Sequence, residues 1–157
     1  MTCPNCDSLR DLKEYISEED YEIVMRRGKP MLGDVLITTE APCGNVAQID
    51  NSYVALAQRV IKYRPNSNRL IASYLKYYLL CSYFQIKLAK EATGGTVKGI
   101  KGSKLHKMTF PLPSLTVQSR IVSILDTFEE SIKNLEAQLE QRQKQYEYYR
   151  NQLLTFD

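Results

Sequence analysis

A long heptad pattern near the C-terminus constrains the fold of this chain more than any other feature of its sequence. From Ile121 onward, apolar residues recur alternately every four and every three positions, and only Arg142 interrupts the series. The apolar positions of this seam are Ile121, Leu125, Phe128, Ile132, Leu135, Leu139, Tyr146, Tyr149 and Leu153. A seam of this period is typical of a coiled coil, in which each helix buries its apolar edge against a partner helix.

The partner of this helix must come from outside the chain. At about 1.5 Å per residue, a helix from 119 to 154 would be roughly 50 Å long, and the sequence contains no second helical pattern of that length. The partner is therefore either a second copy of the chain or another protein. The pattern predicts association and does not favour catalysis.

Short strand patterns precede the helix. Turn residues on both sides bound a predicted strand at Val35–Thr39, and further strands are predicted at Asn45–Ile49 and Val60–Tyr63. Asp34 and Glu40 flank the first strand without a paired acid or base that would indicate catalysis. Several short strands with tight turns favour a small curved β-sheet or open barrel over a parallel sheet.

Two helical patterns follow the strands. Asn68 is the expected N-cap of the first, and the second extends from about Ser82 to Ala92. We interpret the many tyrosines here as a face packed on the sheet, with base stacking as the alternative. The expected fold class is α+β: a small curved sheet or open barrel with packed helices, followed by a long coiled-coil helix.

The charge of the chain is unevenly distributed. Its net charge is only +3, but Glu91 is the single acid between Asn51 and Leu125, where basic residues are frequent. This pattern favours a binding face for a polyanion. The alternative is a solvated surface that merely lacks acids.

The segment TGGTVKGIKGSKLHK (93–107) concentrates the basic residues, with a lysine at every third position from Lys98. Its glycines let the backbone turn and approach a ligand closely. Lysines that neutralise DNA phosphates gain affinity through counterion release, and hydroxyl groups donate to phosphate oxygens. The expected phosphate contacts are Thr93, Thr96, Lys98, Lys101, Ser103, Lys104 and Lys107.

Sequence-specific reading of DNA needs side chains with paired donors or acceptors. Arginine matches guanine in this way, and asparagine or glutamine matches adenine. Candidates near turns or strand ends are Arg26, Arg27, Asn45, Gln58 and Arg59. The alternative role of Asn45 is to shape a turn, and that of Gln58 and Arg59 is to tie the sheet to a neighbouring loop.

The cysteines do not form a recognisable metal site. Cys3 and Cys6 make a CxxC pair, but Cys43 and Cys81 stand alone and His106 is the single histidine. A closed zinc site needs four ligands, with the second pair also closely spaced. We therefore expect neither zinc nor any other cofactor.

Other features exclude further classes of function. The lysine-rich segment lacks the GxxxxGK[ST] spacing of a nucleotide-binding loop, and His106 lacks a Ser or Cys partner for nucleophilic catalysis. No run of about 18 apolar residues predicts a membrane span, and the N-terminal residues do not resemble a secretory signal. A cytoplasmic protein that does not bind membranes is expected.

Taken in their order, these segments resemble the specificity subunits of type I restriction-modification systems. The matching pieces are GDVLITTEAPCGNVAQI, ALAQRVIKYRP, the TGGTVKGI loop, FPLP and QSRIVSIL, followed by the heptad helix. The resemblance covers residues 15–157 and implies two parts. Residues 1–115 would be a target recognition domain, and 116–157 would be a spacer helix that forms the coiled coil.

The resemblance implies a non-catalytic chain that binds double-stranded DNA and reads half of a split target site. It also implies docking to a modification (methyltransferase) subunit and, in some assemblies, to a restriction subunit that translocates and cuts DNA. Complete specificity subunits carry two recognition domains and two antiparallel spacer helices, whereas this chain has one of each and matches only from YISEEDYE onward.

This shortened pattern leaves several readings open. The chain is either a half-subunit that forms a homodimer or joins a second specificity half, or a truncated piece of a longer protein. The alternative to DNA recognition is a coiled-coil interaction module, or decayed fragment, that associates with other restriction-modification subunits without binding DNA.

Overall fold

The computed structural model of the protein describes residues 16–50, 54–56, 58–65, 68–94 and 98–156, without the side chain of Arg27. The chain divides into two compact units, the first ending at Ser119 and the second beginning at Arg120. Of the residues discussed above, Cys3, Cys6 and Thr96 lie outside the described ranges.

The first element among the described residues is a short helix, α1 (Glu18–Val24), followed by a 3-10 turn at Met25–Arg27. Ser17 is the N-cap of α1, and its hydroxyl accepts a hydrogen bond from the backbone N–H of Asp20. The first turn of the helix is entirely acidic, which suits the positive end of the helix dipole.

Three antiparallel strands form a small open sheet. They are β1 (Val35–Thr38), β2 (Val46–Gln48) and β3 (Val60–Tyr63), in the order β2-β1-β3. The start of β1 pairs with the ends of both neighbours, and its last residue, Thr38, pairs with the first residue of β3. The three predicted strands and the preference for a non-parallel sheet are confirmed.

Three further helices of the first unit share a hydrophobic core with this sheet. They are α2 (Ala72–Leu80), α3 (Ser82–Glu91) and the single turn α4 (Gly102–Leu105). The N-cap of α2 is Ile71, so the prediction of Asn68 as its N-cap was wrong. No side chain caps the first turn of α2, but the backbone N–H of Ile71 itself donates to a residue that is distant in the sequence.

That distant residue is Gln118, which is fully buried although it belongs to the long helix α5 (Leu115–Leu154). Its Oε1 accepts from the backbone N–H of Ile71 at 2.9 Å. Its Nε2 donates to the carbonyls of Arg69 at 3.0 Å and Pro113 at 2.8 Å. The amide therefore satisfies three backbone groups and joins the first turn of α5 to the start of α2.

The hydrophobic core of the first unit lies between the sheet, α2 and α3. Its buried members are Val35, Ile37, Val46, Leu75, Leu79, Phe84, Leu88, Ile100 and Leu105. Tyr74 is also buried, and the ring of Tyr78 lies 5.7 Å from those of Phe84 and Phe110. The interpretation of this tyrosine region as a packed face is confirmed for these two residues.

The turn between β1 and β2 is fitted closely to α3. Gly44 has a φ of +96°, a conformation that side-chain-bearing residues rarely adopt. A Cβ at this position would lie 2.7 Å from Oε1 of Gln85 and 2.9 Å from Cδ2 of Leu88. In return, the Gly44 carbonyl accepts a hydrogen bond from Gln85 Nε2 at 3.0 Å. Glycine thus brings the turn and the helix together.

The second unit consists of the C-terminal part of α5, which carries most of the heptad seam. Within the single chain, seven seam residues are more than half exposed: Phe128, Ile132, Leu135, Leu139, Tyr146, Tyr149 and Leu153. Such an exposed apolar stripe is costly in water and is typical of an association surface.

Among the helices that the structure describes, none is long and apolar enough to cross a membrane.

An ion pair between the buried carboxylate of Asp34 and the partly exposed side chain of Arg64 fixes the start of β1. The carboxylate of Asp34 is only 1% exposed and accepts from Arg64 Nε at 2.7 Å, Arg64 Nη2 at 2.8 Å and the Met31 N–H at 2.9 Å. These Arg64 hydrogen bonds are the main reason why the pKa of Asp34 is below its ordinary value. Burial opposes the shift, whereas the Met31 amide and the nearby charge of Lys62 support it.

We expect Arg64→Met to lower the free energy of unfolding at pH 7 by about 3 kcal/mol, since it leaves a buried carboxylate without its main partner. Because the pKa of Asp34 is lowered in the folded state, the native pair stabilises fully above the unfolded-state pKa of about 4. This stabilisation is lost as the pH falls through the folded-state pKa. Urea unfolding of both proteins at several pH values should therefore show the difference shrinking in acid.

Arg69→Met is the matched control, because Arg69 is exposed and its side chain has no described hydrogen bond. It removes the same charge and adds the same side chain, and we expect it to change stability by less than about 0.5 kcal/mol. Equal stabilities of the two variants at neutral pH would contradict the role given to the Asp34–Arg64 pair.

Candidate nucleic-acid interface

The lysine-rich segment 93–107, here called the basic loop, is held by backbone hydrogen bonds at the end of β1. Thr93 and Gly99 exchange two such bonds, of 2.8 and 3.0 Å. The N–H of Ile100 then donates to the Thr39 carbonyl at 2.9 Å, and Gly99 forms a β-bridge with Glu40. With Ile100 and Leu105 buried in the core, the loop has a defined position on the sheet.

The basic loop has a glycine, Gly99, where it passes close to the end of β1. A Cβ on Gly99 would lie 3.1 Å from the Cβ of Glu40 and 3.2 Å from the carbonyl oxygen of Thr39. Any side chain would therefore push the loop away from β1. Gly94, at the other side of the loop, has a φ of +133°, which also favours glycine.

The lysines of the basic loop differ in their environments. Lys98, Lys101 and Lys107 are exposed, and within the described part of the chain no carboxylate lies at ion-pair distance from them. Lys104 Nζ lies 3.4 Å from Glu91 Oε2 and donates to the Glu91 carbonyl at 3.3 Å. The charge of Lys104 is thus partly compensated, whereas the other three are available to an external anion.

The two described hydroxyl candidates, Thr93 and Ser103, are both exposed. His106 is exposed as well, but it is not isolated, since its Nδ1 lies 3.0 Å from Tyr63 Oη. The two rings meet edge to face with centroids 5.6 Å apart. This contact joins the C-terminal part of the basic loop to β3.

Three of the five base-reading candidates lie at the same end of the sheet as the basic loop. Asn45 flanks the end of β1, because its carbonyl accepts from Thr38 at 2.9 Å. On the other side, the Arg59 carbonyl accepts from the Thr39 N–H at 2.8 Å. Gln58 precedes Arg59 and is exposed. The structure therefore brings Asn45, Gln58 and Arg59 to one end of the sheet. Gly99 and Ile100 of the basic loop lie at the same end.

Arg26 and Arg27 are placed at the other end of the sheet. They belong to the 3-10 turn before Gly28 and Lys29, whose carbonyls accept from Lys62 Nζ at 2.9 and 2.8 Å. Lys62 lies near the end of β3, which pairs with the beginning of β1. Arg26 and Arg27 therefore lie away from Asn45, Gln58 and Arg59, at the end of the sheet that the C-terminal part of the basic loop reaches through the contact of His106 with Tyr63.

Glu40, which in the sequence flanks β1 without a paired acid or base that would indicate catalysis, lies at the same end of the sheet as Arg59. Its Oε1 lies 3.0 Å from Arg59 Nε, and its backbone pairs with Gly99. The sequence signal for it is weak: a single acid directly after a strand. In the residues that the structure describes, no group of three or more His, Cys, Asp or Glu side chains could hold a metal ion.

Comparisons with known proteins point in one direction. A family model described as the type I restriction modification DNA specificity domain matches residues 20–142. A protein of Haemophilus influenzae assigned as a type I restriction enzyme specificity subunit is 34% identical over 147 residues, which cover 90% of this chain and 37% of that protein. The EcoR124I/EcoR124II specificity subunit of Escherichia coli is 40% identical over 96 residues, or 59% of this chain and 24% of its own length.

Solved structures agree in fold. A type I restriction-modification system S subunit from M. genitalium aligns with a TM-score of 0.67 at 21% identity, over 81% of this chain and 34% of that one. A chain from a study of complex assembly in a type I restriction-modification system aligns with a TM-score of 0.57 at 30% identity, over 79% of this chain and 29% of that one. The chain thus spans well under half the length of these relatives.

Proposed function

The chain belongs to the type I restriction modification DNA specificity family, and on that premise we propose that it binds double-stranded DNA and catalyses no reaction itself. The observation that carries this proposal is the end of the sheet described above. Two exposed lysines, Lys98 and Lys101, flank Gly99 and Ile100, which backbone contacts hold at the end of β1 where Arg59 and Asn45 also lie. Lysines on such a loop suit phosphate contacts that position a protein on DNA, and neighbouring Arg and Asn side chains suit reading of base edges.

Within this proposal, the two parts of the chain have different tasks. Residues 1–115 act as a target recognition domain, and residues 116–157 act as a spacer helix that associates through the seam. A single recognition domain reads half of a split site, and the other half is read by a second recognition domain, from another copy, from another specificity chain or from the remainder of a longer protein. The assembly that results docks the modification subunit, and in some complexes the restriction subunit, in the cytoplasm.

The exposure and the neighbours of each side chain reduce the set of DNA contacts that we propose. Lys98, Lys101 and Lys107 contribute most to phosphate binding, with Thr93, Thr96 and Ser103 as hydroxyl donors. Lys104 contributes less, because Glu91 lies beside it. Arg59, Asn45 and Gln58 are the base-reading candidates at one end of the sheet, whereas Arg26 and Arg27 would need DNA to reach the opposite end.

A salt series tests DNA binding directly. With about four phosphate contacts, affinity for duplex DNA should fall about a hundredfold between roughly 50 and 200 mM salt. A gel-shift or fluorescence anisotropy titration of the full chain with a randomised duplex measures this dependence. No binding at the lowest salt concentration would contradict the proposal.

A second candidate function is a coiled-coil interaction module that binds other subunits but not DNA. The exposed seam of α5 favours this alternative as much as it favours the first one. It gives no role to the exposed lysines of the basic loop. Association without any DNA binding in the salt series would support the interaction module.

A further inference from the structure

An acidic residue, Glu40, lies among basic residues at the end of β1, where its negative charge should weaken DNA binding. Glu40 Oε1 is 3.0 Å from Arg59 Nε, and both side chains are substantially exposed, at 42% and 62%. An exposed ion pair of this kind contributes little to stability, commonly less than about 1 kcal/mol. Its position, next to the basic loop and on a base-reading candidate, therefore calls for a role other than holding the fold together.

Both members of the pair are fixed through their backbones. The Arg59 carbonyl accepts from the N–H of Thr39 at 2.8 Å and from its hydroxyl at 3.0 Å. Glu40 follows Thr39 directly and forms a β-bridge with Gly99. The absence of a side chain at Gly99 leaves room for this arrangement, because a Cβ there would lie only 3.1 Å from the Cβ of Glu40. The backbone positions of both residues are thus defined, and the 3.0 Å contact joins their exposed side chains.

The geometry of the pair leaves one part of the guanidinium available. The carboxylate lies on the Nε side of Arg59, so the two terminal amino groups can still donate together. Two parallel donors of this kind match O6 and N7 of guanine in the major groove, and a fixed guanidinium plane loses less entropy when it forms both bonds. The carboxylate can therefore improve guanine reading by orienting Arg59.

We propose that Glu40 is a positioning residue that orients the guanidinium of Arg59 for contact with guanine in duplex DNA. This inference rests on the proposed DNA-binding function. It makes Glu40 a determinant of specificity at the expense of affinity, because its negative charge repels phosphates wherever the chain binds.

This role predicts effects of opposite sign on two measured affinities. In Glu40→Ala, binding to unrelated duplex should become about twofold to fivefold tighter, because one negative charge leaves the DNA-facing edge. Discrimination for the preferred guanine should fall about tenfold, because the Arg59 side chain is no longer oriented. If Glu40 acted only through its charge, both affinities would rise together and their ratio would stay constant.

The experiment uses the full chain and a duplex that wild-type protein selects from a randomised pool. Affinities for that duplex and for versions with each guanine replaced are measured for wild type, Glu40→Ala, Glu40→Gln, Arg59→Ala and the Glu40→Ala/Arg59→Ala double variant. Arg59→Ala should remove the preference at one guanine, and adding Glu40→Ala should then cause no further loss at that position. Glu40→Gln, which keeps an acceptor oxygen, should retain part of the discrimination.

Two results would overturn the inference. One is unchanged discrimination in Glu40→Ala, with thermal unfolding like that of wild type. The other is an Arg59-independent change of preference at a cytosine, which would show that Glu40 itself accepts from the base. Failure of wild-type protein to bind any duplex would instead reject DNA binding as a whole, so the two failures are distinguishable.

Discussion

Replacement of Leu135 and Leu139 by glutamate is expected to convert the protein from an associated form to monomers. Both side chains are exposed within one chain, at 63% and 59%, and both belong to the seam. Burial of a leucine contributes about 1.5 to 3 kcal/mol. A pair of identical helices would lose four such side chains, or at least about 6 kcal/mol, which corresponds to weakening of the dimer by about 10⁴-fold.

This conversion to monomers is detected by measuring the molecular mass in solution, by sedimentation or light scattering. Gln138→Glu with Gln141→Glu is the matched control, since it adds the same charge to the same helix outside the seam. We expect the control to retain the wild-type mass. An unchanged mass in the Leu135/Leu139 variant, or a wild-type chain that is monomeric with every related specificity chain tested, would refute the seam as an association surface.

The second large effect concerns Lys98 and Lys101 of the basic loop. Their replacement by alanine removes two positive charges that face no carboxylate in the described parts of the chain. Each lost phosphate contact lowers affinity almost tenfold at about 0.1 M salt, so the double variant should bind duplex DNA about fiftyfold more weakly. The slope of log affinity against log salt should also become shallower by about two.

Lys133→Ala with Lys144→Ala is a suitable control, because it removes the same net charge from α5 at positions outside the seam. This control should bind DNA with nearly the wild-type slope. If both double variants lose affinity equally, the basic loop has no special role and only the total charge matters. If neither double variant binds differently from wild type, the DNA contacts lie outside both the basic loop and these positions of α5.

Sequence periodicity predicted the three strands and the three longer helices of this fold, but not the short helices α1 and α4. The strand at Val35–Thr38 and the long helix Leu115–Leu154 both carry patterns that their own sequence displays. The N-cap of α2 was mispredicted for a different reason. The helix begins after Ile71, whose N–H donates to Gln118, a residue more than forty positions away, and no local rule connects the two positions.

The candidate interface was predictable in composition but not in arrangement. The regularly spaced lysines make the basic loop recognisable in the sequence. Its attachment to Thr39 and Glu40 depends on the tertiary fold. The same limitation applies to the arginines. A position beside a turn suggested both Arg26 and Arg59, and only the strand register shows that they belong to opposite ends of the sheet.

The buried amide of Gln118 determines where modules of this protein can be exchanged. Helix α5 starts at Leu115, yet by its hydrogen bonds Gln118 belongs to the globular part of the chain. A chimaera that joins this globular part to a foreign helix upstream of Gln118 would strip partners from the Ile71 N–H and two carbonyls. Fusion points after Ser119 keep those bonds. A foreign helix joined to the globular part of this chain should therefore begin there.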